Sequence, residues 1–271
     1  MRRQRDSLLH RAGTYVGEVW RTRFFWLSLV KMDLQLRYRR SVLGVGWSLV
    51  SPLASTLVLC VAFHEIFHTP VRQYVPFLMA GFAWWGYVSG VTIRGCQCFV
   101  EAESYIRQHS LPMAVYPLRT ALGGMIHFLI ALCVVAVMVW YFRGFSNLPA
   151  LAVLPFSLTL LVVFGWSVAV LAGYVNSVFR DIQHVSEIGF QVLFYLTPII
   201  YPPEALAQTR LGQLVGYNPL VPFLAIVREP LLDGRVPALE TFRAATFTTL
   251  LLTAAATLFL GRLQKRVILY L

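Results

Sequence analysis

Long blocks of hydrocarbon constrain this chain more than any other feature. Apolar runs cover about 44–67, 75–98, 118–142, 148–174, 188–201 and 242–260. About 20 apolar residues in a helix match the thickness of a bilayer core. In lipid every backbone polar group must be satisfied from within, which a helix achieves along a single segment. The runs therefore predict an all-α integral membrane protein with six transmembrane helices, the fifth short and interrupted at Thr197-Pro198. Composition agrees, since 58% of the 271 residues are hydrophobic and only 13% are charged, about half the share a soluble domain carries.

Charge then orients the spans. Lys and Arg crowd the N-terminal arm, from Arg2 and Arg3 through Arg37, Arg39 and Arg40. They recur at Arg107 after the second run, at Arg180 after the fourth, and at Arg262, Lys265 and Arg266 in the tail. The alternate loops hold fewer, such as Arg72, Arg143, Arg228 and Arg235. An excess of Lys and Arg marks the cytoplasmic face, so a multi-pass protein with both termini cytoplasmic is expected. The net charge of +11 sits at membrane boundaries, which points to anionic lipid and away from nucleic acid. Polar sequence follows the basic start, so no cleaved signal peptide is expected.

A single domain, 1–271, accommodates these features, with an arm over 1–43, the spans over 44–262 and a tail over 263–271. In the arm, Arg21, Ser28, Lys31, Gln35 and Arg39 form one stripe at helical spacing, with Trp20, Phe24, Leu27, Leu34 and Tyr38 beside it. Arg23, Asp33 and Arg37 fall off the stripe. The pattern predicts an amphipathic interface helix lying among lipid headgroups. After the second run, Glu101, Glu103, Arg107, Gln108 and His109 precede Leu111-Pro112, which reads as a short exposed helix stopped by proline. Between the fifth and sixth runs, prolines alternate with apolar residues, and this segment reads as short re-entrant or outer helices beside a cavity.

His64-Glu65-Ile66-Phe67-His68 matches H-E-x-x-H, a zinc-binding pattern that needs two imidazoles one helical turn apart. With the later Asp233-Gly234 it raises an intramembrane site-2-type metalloprotease as an alternative. Its position at the end of the first run, just before Thr69-Pro70, argues for a membrane rim, and no metal is expected. Cys96 and Cys98 lack further ligands nearby. Neither Lys31 nor Lys265 sits in G-x-x-x-x-G-K-[ST], so the chain has no such phosphate-cradling loop of its own. The spans also lack the ladder of ionisable residues that an ion-coupled carrier uses. His127 is the one titratable side chain in the middle of a span.

The stretch Asp33-Leu34-Gln35-Leu36-Arg37-Tyr38-Arg39-Arg40-Ser41-Val42-Leu43-Gly44, followed by Trp47-Ser48-Leu49 and Pro52, resembles the opening of the polysaccharide-export permeases of the ABC-2 class. The likeness continues through Phe179-Arg180-Asp181-Ile182 and Thr197-Pro198-Ile199-Ile200-Tyr201-Pro202. It returns at Asn218-Pro219-Leu220, Arg228 and Leu231-Leu232, with the wording of the O-antigen and teichoic-acid branch.

The resemblance implies a permease that moves lipid-linked polysaccharide across the plasma membrane, the inner membrane of a bacterium. It would be a homodimer joined by two copies of a cytosolic ATPase that binds ATP and Mg, with no cofactor in this chain. Glu101, Glu103, Tyr105, Ile106, Arg107, His109 and Pro112 would form the helix coupled to the ATPase, although Arg107-Gln108 stand where the family prefers lysine. Arg37, Tyr38, Arg39 and Arg40 would belong to the interface arm. Pro202, Pro203, Asn218, Pro219 and Arg228 would belong to an outer gate. Spans one and five would line the conduit, with Trp47, Phe63, Phe67, Phe190, Phe194 and Tyr195 as candidate walls, since aromatic faces give a sliding sugar chain weak, repeated contacts. An ABC-2 exporter of another cargo, such as a drug or small lipid, is the nearer alternative.

Overall fold

The computed structural model describes residues 15, 17–39, 41, 44–63, 65–108, 111–145, 147–203 and 209–263. Among these residues there is no strand. Ten α-helices lie wholly within the described residues: α1 Arg23–Tyr38, α2 Trp47–Phe63, α3 Val71–Gln97, α4 Glu103–Gln108 and α5 Val115–Arg143, then α6 Leu154–Val178, α7 Ile182–Leu196, α8 Arg210–Gly216, α9 Val221–Arg228 and α10 Leu239–Leu263. Short 3-10 turns at Gly44–Gly46 and Leu148–Val153 lead into α2 and α6, and a π turn at Glu229–Asp233 continues α9.

α3 is the axis of the bundle. It packs chiefly against α5 and α6, then against α2 and α7, while α10 covers the other side of α6. Small residues let α3 and α6 approach closely. A Cβ on Gly95 would lie 2.7 Å from the Ala169 Cα, and one on Gly173 would lie 2.8 Å from the Cys98 Sγ. Close backbone approach of this kind supplies the packing that holds helices together when the solvent is as apolar as the side chains. Trp84, Tyr87, Val91, Leu161, Phe164 and Phe223 fill the core around this contact. Some polar groups inside it are paired, the Tyr87 hydroxyl donating to the Leu161 carbonyl at 3.0 Å and the Asn176 amide N–H to the Cys96 carbonyl at 2.9 Å, whereas among the described residues Trp84 Nε1 and Asn176 Oδ1 have no partner.

The outward faces are apolar. Val61, Phe247 and Leu258 are 72%, 70% and 68% exposed, a surface that suits lipid and would be a liability in water. Among the described residues, three helical stretches are long and apolar enough to cross a membrane: Val115–Arg143, Leu148–Val178 and Leu239–Arg262. The other expected spans differ from the apolar runs that announced them. α2 stops at Phe63 after 17 residues, about 26 Å of helix, which is shorter than the run 44–67. α7 begins at Ile182 and ends at Leu196, ahead of Thr197-Pro198, because a residue before proline is pushed out of the helical region. α3 has 27 residues, but Arg72, Gln73, Arg94 and Gln97 dilute its ends. Its middle is buried by other helices instead of facing outward.

Three glycines among the described residues hold backbone that other residues avoid, Gly44 with φ 51° being the first. Gly144 ends α5 with φ 68° and ψ 162°, and Gly234 ends the π turn in the left-handed region at φ 60° and ψ 27°, where a missing Cβ removes the penalty.

Candidate functional site

Functional candidates gather in three places along the bundle: the end where α1 and α4 lie, a groove along α7, and the far end around the break after α7.

At the first end α1 lies on the early part of α5, with Leu29 and Val30 buried beneath it. The Asp33 carboxylate takes a bidentate pair from Arg119, the fork geometry in which such pairs are strongest. One turn further on, the Tyr38 hydroxyl meets Nδ1 of His127 at 3.0 Å, their rings edge to face at 5.6 Å. The arm is therefore bolted to a span by two polar contacts as well as by its apolar face. Arg39 is exposed at the helix end. The side chain of Arg37 and all of Arg40 lie outside the described residues. A cavity of about 230 Å³ beside these contacts is lined by Asp33, Arg94, Glu101, Tyr116, Arg119 and His127.

α4 is the short helix expected after the second run. Tyr105 and Ile106 pack inward against the cluster of Phe99, Ala102 and Tyr116, and Tyr105 also meets Phe25 of the arm edge to face at 6.3 Å. Arg107 and Glu103 pair across one turn at 2.8 Å on the outer side. Val100, Glu101, Glu103, Ser104, Arg107 and Gln108 line a shallow exposed depression. Pro112 is buried, and His109 lies outside the described residues.

The candidate wall aromatics fall into three groups. Phe190 and Phe194 stand against Trp85 of α3 at 5.4 and 5.6 Å, Phe82 stacks on Phe194 at 5.9 Å, and Tyr195 closes the row, 70% exposed. With Ser89, Glu187 and Gln191 they line an open groove of about 700 Å³. Trp47 lies elsewhere, in a cavity of about 360 Å³ between α2, α3 and α5 that Ser48, Ser51, Ser55 and His127 also line. Phe63 and Phe67 stack on each other at 6.0 Å and pack with Tyr74 and Cys60 at the end of α2. Trp85 of α3, outside the two spans expected to line a conduit, completes the groove.

At the far end the chain breaks after α7, and each carbonyl from Leu196 to Ile200 has a donor. Asn218 gives its amide to the Leu196 carbonyl at 3.2 Å and to the Thr197 hydroxyl at 3.0 Å, while its own Oδ1 accepts from the Leu220 N–H. The Ile199 N–H donates to the Thr197 carbonyl at 2.7 Å. Arg228 donates to the carbonyls of Pro198 at 2.7 Å and Ile199 at 3.4 Å, and Tyr74 donates to that of Ile200 at 2.7 Å. Irregular backbone at membrane depth survives only with such partners. Pro202 and Pro203 share a cavity with Arg228, and Pro219 is exposed beside the buried Asn218. The separate motifs at Thr197-Pro198, Asn218-Pro219 and Arg228 thus build one joint.

In the H-E-x-x-H stretch, α2 ends at Phe63 and residues 65–68 form a turn with His68 at φ 49°. His64 lies outside the described residues, and among the described residues no three His, Cys, Asp or Glu side chains gather to hold a metal ion.

Known proteins resemble the chain over nearly its whole length. The O-antigen export system permease protein RfbA of Klebsiella pneumoniae is 24% identical over 238 residues, covering 88% of this chain and 91% of the relative. Its counterpart in Myxococcus xanthus is 23% identical over 254 residues, covering 92% and 96%. The polysialic acid transport protein KpsM of Escherichia coli is 20% identical over 237 residues, covering 86% and 89%. The family profile of ABC-2 type transporters matches residues 25–232, from the arm through the π turn that follows Arg228; the chain belongs to the ABC-2 type transporter family.

Proposed function

We propose that this chain is the transmembrane permease subunit of an ATP-driven exporter that carries lipid-linked polysaccharide, of the O-antigen kind, across the bacterial inner membrane. In this reading α2, α3, α5, α6, α7 and α10 are six spans, with both termini in the cytoplasm. Two copies form the conduit, and two copies of a separate ATPase dock on α4.

One observation carries the reading: relatives named for O-antigen export and polysialic acid transport align across 86–92% of the chain. The geometry supports it at both ends. α4 anchors Tyr105 and Ile106 inside and turns Glu103 and Arg107 outward, as a lever pushed by a cytosolic partner requires. The groove of Trp85, Phe190, Phe194 and Tyr195 offers flat faces with polar tips, which hold a passing sugar without a deep well.

Deletion of the gene in its host tests the reading, with complementation by the intact chain. Loss of polymer from the cell surface, with lipid-linked polymer retained inside, is the expected result. Unchanged surface polymer, or loss of some other exported compound instead, overturns it.

A further inference from the structure

The far-end cavity, about 550 Å³ between α3, α9 and the residues after α7, is lined by a deeply buried cation. Arg228 lines it and is only 7% exposed. Its terminal nitrogens are taken by the carbonyls of Phe77, Pro198 and Ile199, and its guanidinium lies 3.8 Å from the centre of the Phe77 ring. Nε has no partner. Carbonyls and a ring face stabilise a guanidinium but bring no negative charge, and a guanidinium does not escape by losing its proton. The charge of Asp233 in the same lining acts on it, but among the described residues no carboxylate stands close enough to form an ion pair with it.

Two more arginines, Arg143 at the end of α5 and Arg235 after the π turn, line the same space. Glu229 and Asp233 share the rim, so the lining still carries a net positive charge. Burial and the neighbouring Asp233 push the Glu229 carboxyl above its ordinary range, while Arg235 opposes them. Leu224, Leu232 and Phe77 supply an apolar wall. Guanidinium forks match the oxygens of phosphate, and the volume falls in the range of ligand pockets rather than of a single ion.

We infer that this cavity is a binding site for the phosphate headgroup of a membrane lipid, with Arg228 as its buried cation and Arg143 and Arg235 as the arms that close on it. Two lipids share that chemistry: an anionic phospholipid and the phosphorylated polyprenyl carrier of an exported chain. The second source rests on the proposed function, whereas the site itself does not.

Native mass spectrometry of the full chain in detergent tests the site, with phosphatidylglycerol, polyprenyl phosphate and inorganic phosphate as separate probes. Retention of either lipid, weakened roughly tenfold or more by Arg143→Gln with Arg235→Gln, is the expected result. Stronger retention of polyprenyl phosphate identifies the carrier, and stronger retention of phosphatidylglycerol identifies bulk lipid. Arg228→Lys, which keeps charge but loses the fork, should weaken retention further. Should it fail to fold, the double variant still decides. Equal retention by the double variant, binding of inorganic phosphate without either lipid, or no binding at all overturns the inference. Failure here with surface polymer intact leaves the export reading standing, and loss of that reading with lipid retention intact leaves the site standing.

Discussion

Tyr38 and His127 come from segments 89 residues apart and share a hydrogen bond of 3.0 Å. It joins the last turn of the arm to the middle of a span. A neutral hydrogen bond of this kind contributes about 0.5–1.5 kcal/mol net, and leaving one partner buried and unpaired costs about 1–3 kcal/mol. Tyr38→Phe and His127→Leu should each lower the melting temperature of the detergent-solubilised protein. The double variant should be less destabilised than the sum of the two. Strict additivity in that cycle would show that the two side chains do not interact.

The contact between α3 and α6 depends on a missing methyl group. A Cβ at Gly95 would sit 2.7 Å from the Ala169 Cα, 3.0 Å from its Cβ and 3.3 Å from its carbonyl oxygen. Two of these three atoms are backbone, so no side chain can swing aside. Gly95→Ala should destabilise the bundle by about 1–3 kcal/mol through overpacking, although alanine is the better helix former. Gly86→Ala on the same helix meets nothing within 4 Å and should be neutral or slightly stabilising. Thermal unfolding of the two variants side by side checks the contrast.

Reversing both charges on α4 separates a structural role from a docking role. Glu103 and Arg107 form an exposed pair one turn apart, and such pairs contribute only ~0.3–0.5 kcal/mol. Glu103→Lys with Arg107→Glu keeps the pair while inverting the face shown to a partner. Melting temperature should hold, yet surface polymer should fall while the ATPase continues to hydrolyse ATP in the assembled complex. Full export by this variant would remove α4 from the coupling path.

Much of this was legible in the chain, and the reasons are physical. Periodicity and proline are local, so the arm helix, the short helix after the second run and the break at Thr197-Pro198 could be read directly. Asp33 and Arg119 were both visible as charges, but their pairing spans 86 residues and needed the packing of α1 on α5. The same holds for Arg228, whose acceptors at Phe77, Pro198 and Ile199 come from two other segments. Asp33 and Tyr38 left a trace: the first falls off the basic stripe, and the second sits beside it with a hydroxyl to satisfy. The H-E-x-x-H pattern is weighed against its position, at the end of the first run just before Thr69-Pro70, because five letters alone carry no information about where a helix stops. α3 was legible as the apolar run 75–98, but the burial of its middle by other helices depends on packing that the run alone does not show.

Glu229 gives the far end a pH dependence with a definite sign. Burial first, then the charge of Asp233, raise its carboxyl pKa, while Arg235 opposes them. The folded protein therefore holds that proton more tightly than the unfolded chain. Linkage then makes stability fall as pH rises from the ordinary carboxylate value through the raised one, with the full penalty present above it. Glu229→Gln removes the ionised form and keeps the shape, so it should raise the melting temperature at neutral pH. It should also flatten this part of the profile between the acid and neutral ends. At a pH below the ordinary carboxylate range the variant and the parent should converge, because both then carry an uncharged group. Unfolding measured at an acidic and a neutral pH for both proteins checks the prediction. A variant less stable than its parent at neutral pH would mean that the ionised carboxylate is held favourably, against the direction that burial imposes.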